Sequence, residues 1–498
     1  MKCRSYLIGL AAVCLGLLSG PAAANNIAVT NVGLHDLDTG NKYTYVIMDL
    51  SWENSWRMDN GQRDAAWVFV KYRPAGSNQW YHATLATNGS IAAGGSTIDV
   101  APDGKGAFVY QAAPGAGNVN FIRTRLRWNY GTNGLDLQIG DQVDLWVSAI
   151  EMVYIPQGSF YLGSGGTENG RIFQGGGGEL PLLVSSDTTI CANETNCLWG
   201  QYPSDASNQK AMGGVGTLAP PFPNGFRAFY CMKYEISQGQ YAAFLNNLAA
   251  SQASNRYYYA GNSFRHTISG SFTNYTAGVP DRACNFLSWP DGCAYADWAG
   301  LRPMTELEFE KACRGGEAPV PNEYAWGSTN IHAAAYTIIN DSFPNATVSD
   351  PGSGKGNAWY NPTMNITYGP VRCGLFAASK ASPTREEAGA TFYGVMEMSG
   401  NLIERCVTIG RAEGRLYQAT HGDGILTPIL GMGNNNDWPG IRWTGVEWGI
   451  DQAGGSGLRG GEGDYYWYDC LVGSRIYASW EINGRSQYWG FRCVRTAP

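Results

Sequence analysis

Gly394-Val395-Met396-Glu397-Met398-Ser399-Gly400-Asn401-Leu402-Ile403-Glu404 is the stretch on which the reading of this chain turns. Two carboxylates stand seven residues apart, with Gly and Asn between them. Tight turns of that kind present backbone carbonyls inward, and hard cations take carboxylate and carbonyl oxygens. The same texture extends outward from it. Gly accounts for 66 of the 498 residues, roughly double the ~7% of average usage. Charged residues make up 15%, against about 25% in ordinary domains. The glycines have no three-residue period, which excludes collagen. Ala, Glu, Lys, Leu and Arg do not dominate, which excludes a coiled coil. With 44% hydrophobic residues, 17 Trp and 29 Tyr, the chain can bury a large core. Its length suggests two to four domains at about 150 residues each.

The N-terminus reads as an export signal at 1–24. Lys2 and Arg4 precede an apolar run from Leu7 to Leu18, and Ala22-Ala23-Ala24 gives a small-residue cleavage pattern. The run is too short to span a bilayer, and no other stretch reads as a transmembrane segment. The expected location is secreted, periplasmic or cell-surface. The formal charge of −7 becomes −9 without Lys2 and Arg4, which argues against a nucleic-acid partner. Cys191 and Cys197 lie in a polar loop and are the disulfide to expect in an oxidising compartment.

Residues 25–150 read as strands. Tyr43–Leu50 and Ala65–Tyr72 are rich in β-branched and aromatic residues. Turn clusters separate them, so an all-β sandwich is expected. Asp141–Val153 reads as a last strand leading straight into the next unit. Beyond it, three short helices carry N-terminal signals. Ser237 and Gln240 form a capping box opening a helix through Leu248. Ser288 opens a second, with Pro290 in its first turn. Thr305 and Glu308 open a third, ended by Gly315-Gly316. No phosphate loop, nucleophile elbow or His pair at metal-ligand spacing is present.

A set of segments from Glu151–Gly163 onward resembles the formylglycine-generating enzyme (sulfatase-modifying factor) family. They include Tyr234–Tyr241, Ser288–Asp291, Trp298–Pro303, Thr305–Glu310, Tyr324–Gly327, Gly394–Glu404, Leu458–Gly461 and Gly490–Cys493. Their collinear order carries the resemblance, which covers about 152–498. It implies a loop-rich C-type-lectin-like fold. The expected class is therefore α+β, with this domain at 151–498 after the sandwich. It also implies structural calcium, held by side-chain oxygens of Glu397 and Glu404 and carbonyls of Gly400 and Leu402.

The family's oxidase uses copper, O₂ and two cysteines five apart after the Gly-Gly pair, because a cuprous ion takes paired thiolates. Here Cys470 matches the second position and Tyr465 the first, leaving Cys470 as the candidate catalytic residue. From Glu462 to Trp489 five Tyr and three Trp fall within 28 residues. Tyr465, Tyr466, Trp467, Tyr468, Asp469, Arg475, Tyr477, Trp480, Tyr488 and Trp489 read as a binding surface of rigid amphipathic anchors with polar neighbours. The same stretch also resembles the variable proteins of diversity-generating retroelements. Three readings stay open. The first is a ligand-binding protein for a protein or glycan at the cell exterior. The second is an oxidase using copper on a substrate cysteine, or a divergent enzyme of that superfamily. The third is a structural surface component.

Overall fold

In the computed structural model the described residues are 2–6, 27–175, 179–192, 194–200, 216–363, 368–462 and 466–498. The principal strands of the first part are β1 (Ala28–Asp38), β2 (Tyr43–Arg57), β3 (Asp64–Pro74), β4 (Ser96–Val100), β5 (Ala107–Gln111), β6 (Gly115–Trp128) and β7 (Gln142–Ile155). In β2, Val46, Met48, Leu50 and Trp52 are buried and the residues between them are half-exposed. That alternation is a strand with one wet face. β1, β2 and β6 form an antiparallel three-stranded sheet in the order β1-β2-β6. β3 is buried along most of its length. Ala66, Val68 and Val70 face the three-stranded sheet, while Trp67 and Phe69 join a second core on the other side. A strand covered on both faces loses the polar half of its alternation.

After β7 come β8 (Phe229–Met232), α1 (Gln238–Leu245), α2 (Trp289–Trp298), β9 (Arg302–Pro303) and α3 (Glu306–Arg314). They are followed by β10 (Ile403–Val407), β11 (Ser456–Arg459), β12 (Trp489–Gly490) and β13 (Cys493–Thr496). The large sheet runs β9-β13-β8-β7-β3-β5-β4, so N- and C-terminal strands share one hydrogen-bonded surface. β7 is its hinge element. Val143, Leu145 and Val147 belong to the core beneath the three-stranded sheet, Ile150 and Met152 to the second core, and Val153 and Ile155 to a third. Lys2–Tyr6 also pairs with β7. The apolar run and cleavage pattern expected at Leu7–Leu18 and Ala22–Ala24 lie outside the described residues.

The helices begin where their caps predict. Ser237, Ser288 and Thr305 each accept a backbone N–H three residues on. α1 stops at Leu245 rather than Leu248. There the Asn246 side chain exchanges hydrogen bonds with the Tyr275 backbone (2.7 and 2.9 Å) in place of another helical turn. α3 ends at Gly315, whose φ of 68° favours glycine. Gly292 in α2 has a different reason: a Cβ there would lie 1.8 Å from the Phe491 ring. The smallest residue lets β13's leading segment lie against the helix. Cys191–Cys197 is a disulfide. Eight further cysteines are buried thiols, packed as small apolar groups. The architecture is mixed and strand-rich, and among the described residues no helix is long and apolar enough to cross a membrane.

Candidate functional site

α3 supplies the frame. Glu306, Glu310 and Arg314 recur at helical spacing along its buried side. Arg459 bridges Glu306 and Glu310 at 2.9 Å each, and Arg314 pairs with Glu310 at 2.5 Å and with Glu323. Arg475 closes the network, meeting both Glu306 oxygens at 2.5 and 2.8 Å and the Gly170 carbonyl at 3.1 Å. Burial pushes the Glu306 carboxyl up, but Arg475 and Arg459 outweigh it and hold it below its usual value. Arg475, expected on a binding surface, has no exposed surface. Its guanidinium fastens the C-terminal loop to α3.

The stretch at 394–404 is organised by a guanidinium. Both Glu404 oxygens accept from Arg492 at 2.6–3.1 Å. Glu397 Oε1 accepts the Gly374 N–H at 2.8 Å. Glu235 accepts the Leu402 N–H and the Asn401 amide at 3.0 and 2.6 Å. Gly400 donates to the Gly460 carbonyl at 2.8 Å, linking the two glycine-rich segments. Glu397 and Glu404, expected as calcium ligands with the Gly400 and Leu402 carbonyls, meet the Gly374 N–H and the Arg492 guanidinium here, and Glu397 Oε2 is buried without a hydrogen-bond partner. Among the described residues no three His, Cys, Asp or Glu side chains converge as a metal site. Burial raises the Glu235, Glu397 and Glu404 carboxyls, Glu397 to about 7.

The aromatic stretch divides in two. Tyr477 and Trp489 are buried with Ile403 and Leu458, and half-buried Trp480 and Tyr488 pack against them. Trp480 meets Trp489 edge-on at 5.8 Å. These four, expected on the ligand-binding surface, pack over β10 and β11 as an apolar lid on the small sheet β11-β10-β12. Tyr466, Trp467 and Tyr468 stand out in solvent, at 57%, 49% and 41% exposure. The Tyr466 and Tyr468 rings stack at 5.4 Å, and Trp467 meets Tyr468 edge-on. Tyr465 lies outside the described residues.

Beside this tip opens a cavity of about 830 Å³. Trp467 and Tyr468 line it from the tip, and Tyr324, Tyr360 and Leu471 line it from an apolar cluster. Thr167, Glu168, Asn169, Arg171 and Asn322 give it a polar wall. Sequence reasoning missed the 167–171 wall, because no periodicity or motif marks that loop. Tyr324 opens the family-like segment Tyr324–Gly327, although nothing in the sequence assigns it to a cavity.

Cys470 sits in the apolar cluster with Tyr324 and Tyr360 and has no exposed surface. Burial pushes its thiol well above the usual value, and Asp469 and Glu462 add to the shift. Gly461 makes room for it: at φ 70°, a Cβ there would come within 2.7 Å of the Cys470 sulfur. A two-coordinate cuprous site needs paired thiolates. One buried, protonated thiol with Tyr at the companion position does not fit that ion, so no step is routed through copper. Asp469, also expected to face ligand, is 4% exposed.

A model of the family described as "Sulfatase-modifying factor enzyme 1-like domain" matches residues 144–497. The chain is similar to proteins named formylglycine-generating enzyme from three organisms. Identity to that of Streptomyces coelicolor is 38% over 77 residues, covering 15% of this chain and 24% of the relative. Identity to that of Bos taurus is 32% over 99 residues, covering 17% and 26%. Identity to that of Mus musculus is 32% over 93 residues, covering 16% and 24%. The aligned stretch spans about a quarter of each relative's length.

Proposed function

The chain belongs to the sulfatase-modifying factor enzyme 1-like family across residues 144–497, and on that scaffold we propose an exported ligand-binding protein rather than an oxidase. One observation carries the reading. The exposed tip Tyr466-Trp467-Tyr468 flanks a cavity of about 830 Å³, while the cysteine beneath it is buried and lacks a companion thiol in the sequence. Amphipathic aromatics beside a half-polar cavity are the chemistry of a binding site. The Cys191–Cys197 disulfide supports an oxidising compartment. The strands before β7 serve in this reading as an accessory sandwich continuous with the rest of the fold through β7. A diversified receptor would need an interior frame with surface positions between its parts. Buried Leu458, Arg459, Arg475, Phe491 and Arg492 around exposed Tyr466–Tyr468 support that version.

The relatives' printed names favour a second reading, a formylglycine-generating oxidase acting on a substrate cysteine. One experiment separates the two. Purified protein is supplied with copper, O₂ and a cysteine peptide, and in parallel is screened against protein and glycan arrays. Binding lost in Trp467→Ala at unchanged melting temperature supports the first reading. Peptide oxidation abolished by Cys470→Ala would reverse it.

A further inference from the structure

We infer that the cavity beside Trp467 and Tyr468 takes a neutral saccharide, with Glu168 as its central hydrogen-bond acceptor; the inference rests on the ligand-binding reading above. Glu168 is 2% exposed and lines the cavity. Its Oε1 accepts from the Ser164 hydroxyl and from the Asn322 N–H at 3.2 Å, while its Oε2 has no hydrogen-bond partner. Two glycines hold this carboxylate in place. A Cβ on Gly473 would lie 2.6 Å from Oε1, and one on Gly166 2.7 Å from Oε2. Oε2 is closed off from solvent beside Gly166; a buried acceptor without a donor costs free energy, which a ligand hydroxyl recovers by displacing that packing.

The rest of the wall narrows the class of donor. Arg171 stands on the same wall, pairing with Glu179 and reaching the Glu168 carbonyl at 3.4 Å. Its charge opposes an ammonium ligand, and Glu168 opposes an anion. A neutral molecule rich in hydroxyl groups satisfies both. Asn169, Thr167 and Thr329 add short polar groups with little charge. Trp467 and Tyr468 stand partly exposed at the cavity rim, and the negative quadrupole of an aromatic face suits the C–H face of a pyranose. The volume lies within the range of small-molecule sites.

The test uses the purified full chain on an array of neutral, acidic and amino oligosaccharides, then calorimetric titration with the free saccharide of the strongest spot. The expected result is binding of a neutral saccharide. Glu168→Gln, which keeps shape but weakens the acceptor, should lower affinity at least tenfold, and Trp467→Ala should do likewise. Trp443→Ala, an exposed aromatic outside this cavity, should leave affinity unchanged. If Glu168→Gln fails to fold, Trp467→Ala together with Asn169→Ala carries the test. Binding confined to acidic or amino saccharides overturns the inference, as does neutral binding indifferent to both cavity substitutions. Capture of a protein ligand with no saccharide binding overturns it while sparing the ligand-binding reading. Copper-dependent peptide oxidation without any binding overturns both.

Discussion

Asp469 lies between the exposed aromatic tip and the buried Cys470, and neither oxygen of its carboxylate has a hydrogen-bond partner. Burial pushes its pKa up to about 7, against about 3.9 in an unfolded chain. Between about pH 4 and 7 the folded state holds a proton that the unfolded state has released. Stability is therefore greatest below that window and falls as pH rises through it, by about 1.4 kcal/mol per unit for this one group. Asp469→Asn removes the charge and most of that cost. The variant should melt higher than the wild type at pH 8, with the gap closing near pH 4. Melting curves at both values check this, and a gap independent of pH would refute it. Nothing in the sequence marked Asp469 as interior. It sits in a loop, where no period separates inward from outward side chains, so density of aromatic and polar residues was the only signal. That signal does not distinguish the exposed rings at 466–468 from the half-buried and buried ones at 477–489.

Among the elements, α3 was the most legible and its role the least. Thr305, Glu308 and Gly315 fixed both ends in the sequence. The i, i+4 spacing of Glu306, Glu310 and Arg314 put them on one face. Their partners Arg459 and Arg475 lie about 150 residues away, and only the closed fold brings them together. Removing one member of a buried pair leaves an uncompensated charge, typically a loss of 3–5 kcal/mol. Arg475→Met should destabilise the protein by that order in denaturant unfolding. Glu306→Gln in the same chain should restore part of the loss, because the two side chains share bonds. Full additivity of the two would argue against direct coupling. Glu306 also sets an acid limit. Its folded pKa is lowered, so its contribution is present above the unfolded carboxylate value and is lost as pH falls through the folded one. Gly292→Ala tests another element contact: a Cβ 1.8 Å from the Phe491 ring must part α2 from the segment before β13. A melting temperature lowered by several degrees is the expected result.

At the scale of the molecule, the question is whether the chain divides near residue 150. The sequence showed strands before that point and a loop-rich unit after it, and it read Asp141–Val153 as continuous across the join. In the fold Ile150 and Glu151 are neighbours inside β7, which pairs with β3 from Asp64↔Val153 to Pro74↔Val143 and with β8 at its other edge. The two halves are also tied by charge. Lys233 lies 3.1 Å from Glu151 and 3.8 Å from Asp64, all three buried. Arg495 meets both Asp103 oxygens at 2.6 Å, and the Trp67 indole donates to the Ala299 carbonyl at 2.8 Å. Period-2 patterns could not reveal this, because β3 is apolar on both faces and a doubly covered strand has no alternation to read. A fragment of 151–498 would begin in mid-strand, expose the Trp298 face that Phe69 covers, and leave Lys233 without Asp64. It should be poorly soluble and melt without a sharp transition, whereas 27–498 should melt cooperatively. Calorimetry and size-exclusion chromatography on both fragments decide the matter. A 151–498 fragment that is monomeric and cooperative, and binds ligand as the whole chain does, would establish the strands before β7 as a separable module.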